Sequence, residues 1–236
     1  MLKLRTSGGK NLKKLAALAL AVLMTVGAVG CSSSGKKFKK AEEKLIAAAE
    51  NCCDAAVMGK SLRKKYTKRN LKLSGSTDGE GIYATYNSDD LENIEFDERD
   101  YGELDSEDVK NITVFLKSDS SNMITARVLE LKNKDAAQEL FDYYKDMIDL
   151  DSQKHKWKRS SDGEFATDED KDDTLAFIAL VDGYCKSGYF HVDGNLLTAV
   201  SFTGYPENDL LEEYYDFMRE AEYTDMEALL KGDLED

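Results

Sequence analysis

Between residues 15 and 30 the chain reads LAALALAVLMTVGAVG, sixteen positions without a charge. The pattern then changes period. From Lys36 onward Phe38, Ala41, Leu45, Ala48, Cys52, Ala55, Gly59, Leu62 and Tyr66 recur at spacings of three and four, with Lys and Arg opposite them. That spacing predicts an amphipathic helix, bent or interrupted at Gly59 and running to about Leu71. The composition of SGSTDGEG, residues 74–81, predicts a loop, and IYATY, residues 82–86, a short strand. Residues 87–108 are acidic and follow neither period, so no element is assigned to them.

Beyond residue 108 the strand signals are clear. VKNITVFLK and MITARVLEL are rich in β-branched residues, and SDSSN between them suits a hairpin loop. Asp135 and Gln138 have the spacing of a capping box, and Ala137, Leu140, Phe141, Tyr144 and Ile148 mark one helical face. Then TLAFIALV, YCKSGYFHV and LLTAVSF follow, joined at Asp182-Gly183 and Asp193-Gly194-Asn195, which favours antiparallel hairpins. A helix with Leu210, Leu211, Tyr214, Phe217, Met218 and Ala221 inward comes next, and a last short one starts at Thr224 and stops at Gly232.

Residues 109–153 and 174–222 match in order and in detail. Thr125-Ala126 aligns with Thr198-Ala199, and Tyr143-Tyr144 with Tyr214-Tyr215. The expectation is an α+β fold: an N-terminal basic amphipathic helix, then an antiparallel β-sheet with helices on one face, built as two tandem strands-then-helix repeats.

Composition supports a globular body, with 42% hydrophobic and 9% aromatic residues in a chain of 236. The formal charge of −14 hides three electrostatic regions. Residues 1–30 carry five positive charges and no acid. Residues 31–72 carry twelve Lys or Arg against four acids, and residues 73–236 fifteen against 42, a net of −27. A body of that sign repels a polyphosphate backbone, which argues against nucleic acid as a partner.

The basic start followed by the uncharged run has the order of a secretory signal. Sixteen helical residues would span about 24 Å, short of the ~30 Å hydrocarbon core that a permanent span must cross. The run ends in small residues and a cysteine, GAVGC, and here it resembles the lipobox of bacterial lipoproteins. Gly30 fits the small residue before the cut, Val29 is acceptable, and Ala28 stands where Leu is usual. The resemblance covers residues 1 to about 34. It implies lipoprotein signal-peptidase cleavage after Gly30, diacylglycerol on the Cys31 thiol and a palmitate-class acyl anchor at the extracytoplasmic face of a bacterial cell membrane. The expected layout is a removed signal peptide at 1–30, a lipidated Cys31 with a flexible tether at 31–36, a basic helical segment at 37–72 and an acidic α+β domain at 73–236. Lys36, Lys37, Lys39 and Lys40 lie next to the anchor, where each basic residue can contribute about 1 kcal/mol beside anionic lipid. The competing placement docks that helix on the acidic body.

Three cysteines remain after Cys31. Cys52 or Cys53 could form a disulfide with Cys185, or all three could be small buried hydrophobes. Cys185 and His191 on one strand would lie about 20 Å apart at ~3.3 Å per residue, too far for a nucleophile-base dyad. His155 lies beside Trp157 in the polar stretch SQKHKWKRSS, expected to be a solvated loop. Asp168, Asp170 and Asp172 alternate like the start of a calcium loop, yet Asp173 and Ala179 stand where that loop needs Gly and Glu. No cofactor is expected. The function that fits is a tethered module binding an unidentified protein or small ligand, against the alternatives of an envelope hydrolase using carboxylates and a calcium-dependent adhesion or sensor domain.

Overall fold

Successive residues on the strands face opposite sides of a sheet, and here both sides are apolar. The computed structural model describes residues 33–69, 71–73, 77–92, 94–161, 163–171 and 173–232. Its helices are α1 (Ser33–Cys53), α2 (Lys60–Thr67), α3 (Ser88–Leu91), α4 (Glu98–Tyr101), α5 (Lys134–Ile148), α6 (Leu150–Arg159), α7 (Asp209–Glu220) and α8 (Met226–Lys231), with one 3-10 turn at Ser106–Asp108. Its strands are β1 (Ala56–Val57), β2 (Ile82–Asn87), β3 (Val109–Ser118), β4 (Met123–Leu131), β5 (Glu164–Lys171), β6 (Thr174–Val181), β7 (Tyr184–Asp193) and β8 (Leu196–Gly204). They form one eight-stranded sheet in the order β1-β2-β3-β4-β8-β7-β6-β5. Every neighbouring pair is antiparallel except β1 with β2. The α+β class therefore holds.

The helices divide between the two faces of the sheet, where the sequence pattern suggests one covered face. On β4, Ile124, Ala126 and Val128 join a core with Leu45 of α1, Phe217 of α7 and Met226 of α8. The alternate residues Leu129 and Leu131 join a second core with Tyr66 of α2, Tyr101 of α4 and Phe141 of α5. The reason is in the strands themselves. TLAFIALV and LLTAVSF are apolar at both parities, so each face needs its own cover.

β2-β3-β4 and β8-β7-β6 meet at the antiparallel β4-β8 pair, where Ala126 opposes Val200. The helices that follow β4 and β8 nevertheless pack on opposite faces, α5 in one core and α7 in the other. The matched alanines obey the same rule. Ala126 lies in the core without α5 and Ala199 in the core without α7, so each points away from the helix that follows its strand.

Local chemistry sets the element ends. Asp182 and Gly183 both take positive φ, 52° and 73°, as a type I′ hairpin turn requires. Asn133, two residues before Asp135, caps α5 by accepting from Asp135 N and Ala136 N, each at 2.9 Å. Asp225, not Thr224, caps α8. α1 ends at Cys53, where Asp54 turns left-handed at φ 49°, and Gly59 begins α2 as its N-cap. The tether expected at 31–36 also changes. Ser33 to Lys36 already belong to α1.

Residues 33–236 form one compact unit, and α1 is a layer of it: Phe38, Leu45, Ala48, Ala49 and Cys53 are buried against the sheet and α7. Among the described residues no helix is long and apolar enough to cross a membrane.

Candidate functional site

The stretch that the hydrophobic period could not assign, residues 87–108, builds a cleft on the described surface. Two short helices in it are held by their caps. Asn87 accepts from Asp89 N and Asp90 N, while Asp90 returns a carboxylate oxygen to Asn87 N, a complete capping box. Asp97 accepts from Arg99 N at the start of α4. α4 stops at Gly102, whose φ of 60° favours glycine, and a Cβ there would sit 3.1 Å from the Tyr143 ring.

Side chains from the sheet and α5 then pin this segment down. Tyr143 donates its hydroxyl to Glu98 O at 2.6 Å and Tyr144 to Asp100 O at 2.5 Å. Arg127 of β4 donates through Nη1 to the same carbonyl at 3.1 Å and pairs through Nη2 with Asp100 Oδ1 at 2.9 Å. Its guanidinium lies 4.9 Å from the centre of the Tyr101 ring. Burial works against the Arg127 charge, but the surrounding phenols and the Asp100 carboxylate outweigh it, so its pKa is raised. Burial also raises the Tyr101 and Tyr144 phenols, which remain neutral donors.

The resulting cleft encloses about 700 Å³ and is floored by Ile94, Phe96 and Leu104. Glu95, Glu98, Glu103, Asp105 and Glu107 rim it. Its size falls in the range of small-ligand sites, and its chemistry is apolar contact beneath a negative rim.

The residues singled out from the sequence lie elsewhere. Ala28, Val29, Gly30 and Cys31 fall outside the described residues, as does Asp172. Asp168 and Asp170 lie on β5, a strand paired with β6, instead of in a loop. Among the described residues no group of three or more His, Cys, Asp or Glu is placed to hold a metal ion. Cys52, Cys53 and Cys185 are free thiols, the last two buried. Burial is the first cause of their raised pKa values, about 11 for Cys52, about 12 for Cys185 and higher again for Cys53, so all three stay protonated near neutral pH. His155 sits on α6, with Nδ1 2.7 Å from Asp151 O, where a loop was expected. His191 Nδ1 lies 2.9 Å from Thr174 Oγ1. Asp173 Oδ1 approaches that same nitrogen at 3.9 Å instead of orienting the ring from its far side, which a catalytic triad requires. Lys36, Lys37, Lys39 and Lys40 are exposed on the first turns of α1, and Lys37 donates to both Asp193 oxygens at 2.7 and 2.9 Å.

No protein-family model matches the chain, and no curated protein does. Among solved structures, the extracellular domain of PknH from Mycobacterium tuberculosis is similar over 77% of this chain and 96% of that one, at 13% identity and a TM-score of 0.35. A likeness that slight transfers neither fold nor function.

Proposed function

We propose that this protein is a lipid-anchored extracytoplasmic binding module, held to the outer face of the cytoplasmic membrane by acylated Cys31. One observation carries the reading. The basic start, the sixteen uncharged residues after it and the closing GAVGC point to a lipobox-like cut directly before Cys31. Attachment by two or more acyl chains is effectively stable, which one short peptide helix would not match. Binding is favoured over hydrolysis because Cys53 and Cys185 are buried, burial raises the pKa of all three thiols, and among the described residues Asp173 meets His191 only at the nitrogen that Thr174 already faces. Ligand contact on this reading falls to the cleft at residues 94–107, which has the volume of a ligand site.

Metabolic labelling with a palmitate analogue, followed by membrane fractionation, tests the anchor. The wild type should label and pellet with membranes in its cleaved form. Cys31→Ser should accumulate as an unlabelled precursor of higher mass. Normal cleavage and membrane retention of Cys31→Ser would overturn the reading.

A further inference from the structure

Residues 60–72 hold seven cations and no acid, in a chain whose remainder from residue 73 on is strongly acidic. On α2, Leu62 packs against the second core and Tyr66 is buried in it. Lys60, Arg63, Lys64, Thr67 and Lys68, at i, i+3, i+4, i+7 and i+8, therefore share the outward face. They line a depression of about 410 Å³ whose far side is Asp90. Arg63 is already set in place: Nη2 donates to Asp90 Oδ2 at 2.7 Å, and its Cζ lies 4.3 Å from the centre of the Tyr86 ring.

Among the described residues Lys60, Lys64 and Lys68 make no ion pair. Like charges at i and i+4 oppose helix formation, and the first turn of α2 holds no acid to offset the helix dipole. The sequence thus keeps an unfavourable stripe on an eight-residue helix although acids abound elsewhere in the chain. An anion seated in the depression would remove the repulsion.

We infer that this groove binds a phosphate group. Three lysine point charges and the free nitrogens of the Arg63 fork supply donors suited to a tetrahedral dianion, while the Thr67 hydroxyl, which donates to Arg63 O at 3.0 Å, only helps to shape the groove. The phosphate can come from a lipid headgroup or from a soluble phosphate ester. The first source fits the fold on the proposed anchor: Asp90, which holds Arg63, follows the end of β2 that pairs with the start of β3. The β7-β8 turn that holds Lys37, two residues into the second turn of α1, lies at that same end of the sheet.

Lysine acetylation footprinting of the full lipid-anchored protein tests the groove. In neutral detergent, inorganic phosphate at about ten times its dissociation constant should slow modification of Lys60, Lys64 and Lys68 about tenfold, by mass action. Chloride at equal ionic strength should not. In vesicles, protection by phosphatidylglycerol and not by phosphatidylcholine assigns the site to headgroups, whereas protection by soluble phosphate alone assigns it to a phosphate ester. Arg63→Gln should weaken protection of all three lysines while leaving the circular-dichroism spectrum intact. Equal protection by chloride, or none by phosphate or anionic vesicles, overturns the inference. Since the detergent arm needs no bilayer, its failure is distinct from failure of the anchor.

Discussion

Asp119 closes the β3-β4 turn with a single carboxylate. It accepts from Ser121 N at 2.8 Å, from Asn122 N at 2.7 Å, from Asn122 Nδ2 at both oxygens and from Asn208 Nδ2 at 3.1 Å. Burial raises its pKa, but these hydrogen bonds outweigh the burial and hold it below the ordinary carboxylate value. A depressed pKa contributes stability that is present above the unfolded value, about 4, and is lost as pH falls through the folded one. Asp119→Ala should therefore cost about 2 kcal/mol at neutral pH, and denaturant midpoints measured down the acid limb should fall less steeply than in the wild type. Gly102 makes a second test. Its φ of 60° strains any L side chain and a Cβ would crowd the Tyr143 ring at 3.1 Å, so Gly102→Ala should lower stability by about 1–3 kcal/mol in chemical denaturation. Neither role was legible in the sequence. A turn aspartate and a lone glycine look ordinary until Asn208 and Tyr143 arrive from distant parts of the chain. The cysteines were partly legible: Cys185 inside a strand suggested a buried hydrophobe and is one, whereas on α1 it is Cys53 that is buried and Cys52, on the expected stripe, is only half-buried.

Whole elements show where the periodic pattern suffices. β6, β7 and β8 follow from apolar runs punctuated by Asp-Gly turns, and α5 and α7 from clean three-and-four spacing. α6 was missed because LDSQKHKWKR has almost no apolar face; Leu150 packs against the second core and Trp157 donates Nε1 to Gly163 O at 2.5 Å. β5 was missed because an edge strand needs little burial, and four of its eight residues are acidic. The cleft segment was unreadable for another reason. Its helices span four residues each, too short for a period, and their position depends on Arg127, Tyr143 and Tyr144. For α1, Leu45 is fully buried between sheet and α7, so Leu45→Ala should lose about 2–5 kcal/mol. Exposed Lys36→Gln on the same helix should stay within about 0.5 kcal/mol, and parallel urea titrations compare the two.

At the scale of the molecule, one lysine joins three layers. Lys117 of β3, nearly buried, pairs with Glu213 of α7 at 2.5 Å and donates to Cys53 O at the end of α1 at 3.2 Å. Lys117→Met should lower stability by about 1–3 kcal/mol, and Glu213→Gln in the Lys117→Met background should restore part of it, since the uncompensated charge is then removed. A double-mutant cycle read by thermal unfolding checks this, and strict additivity would show that the pair is not coupled. The rims of the sheet bear on how many copies can share one surface. β1 offers two residues, and β5 offers eight, interrupted by a register shift between Asp168 and Lys171 and carrying four acids. On the proposed anchor, copies would be concentrated in two dimensions, where rim-to-rim stacking into ribbons is the usual hazard. Two β5 rims approaching each other meet acid against acid before their backbones can pair, and β1 presents only two residues to any ladder.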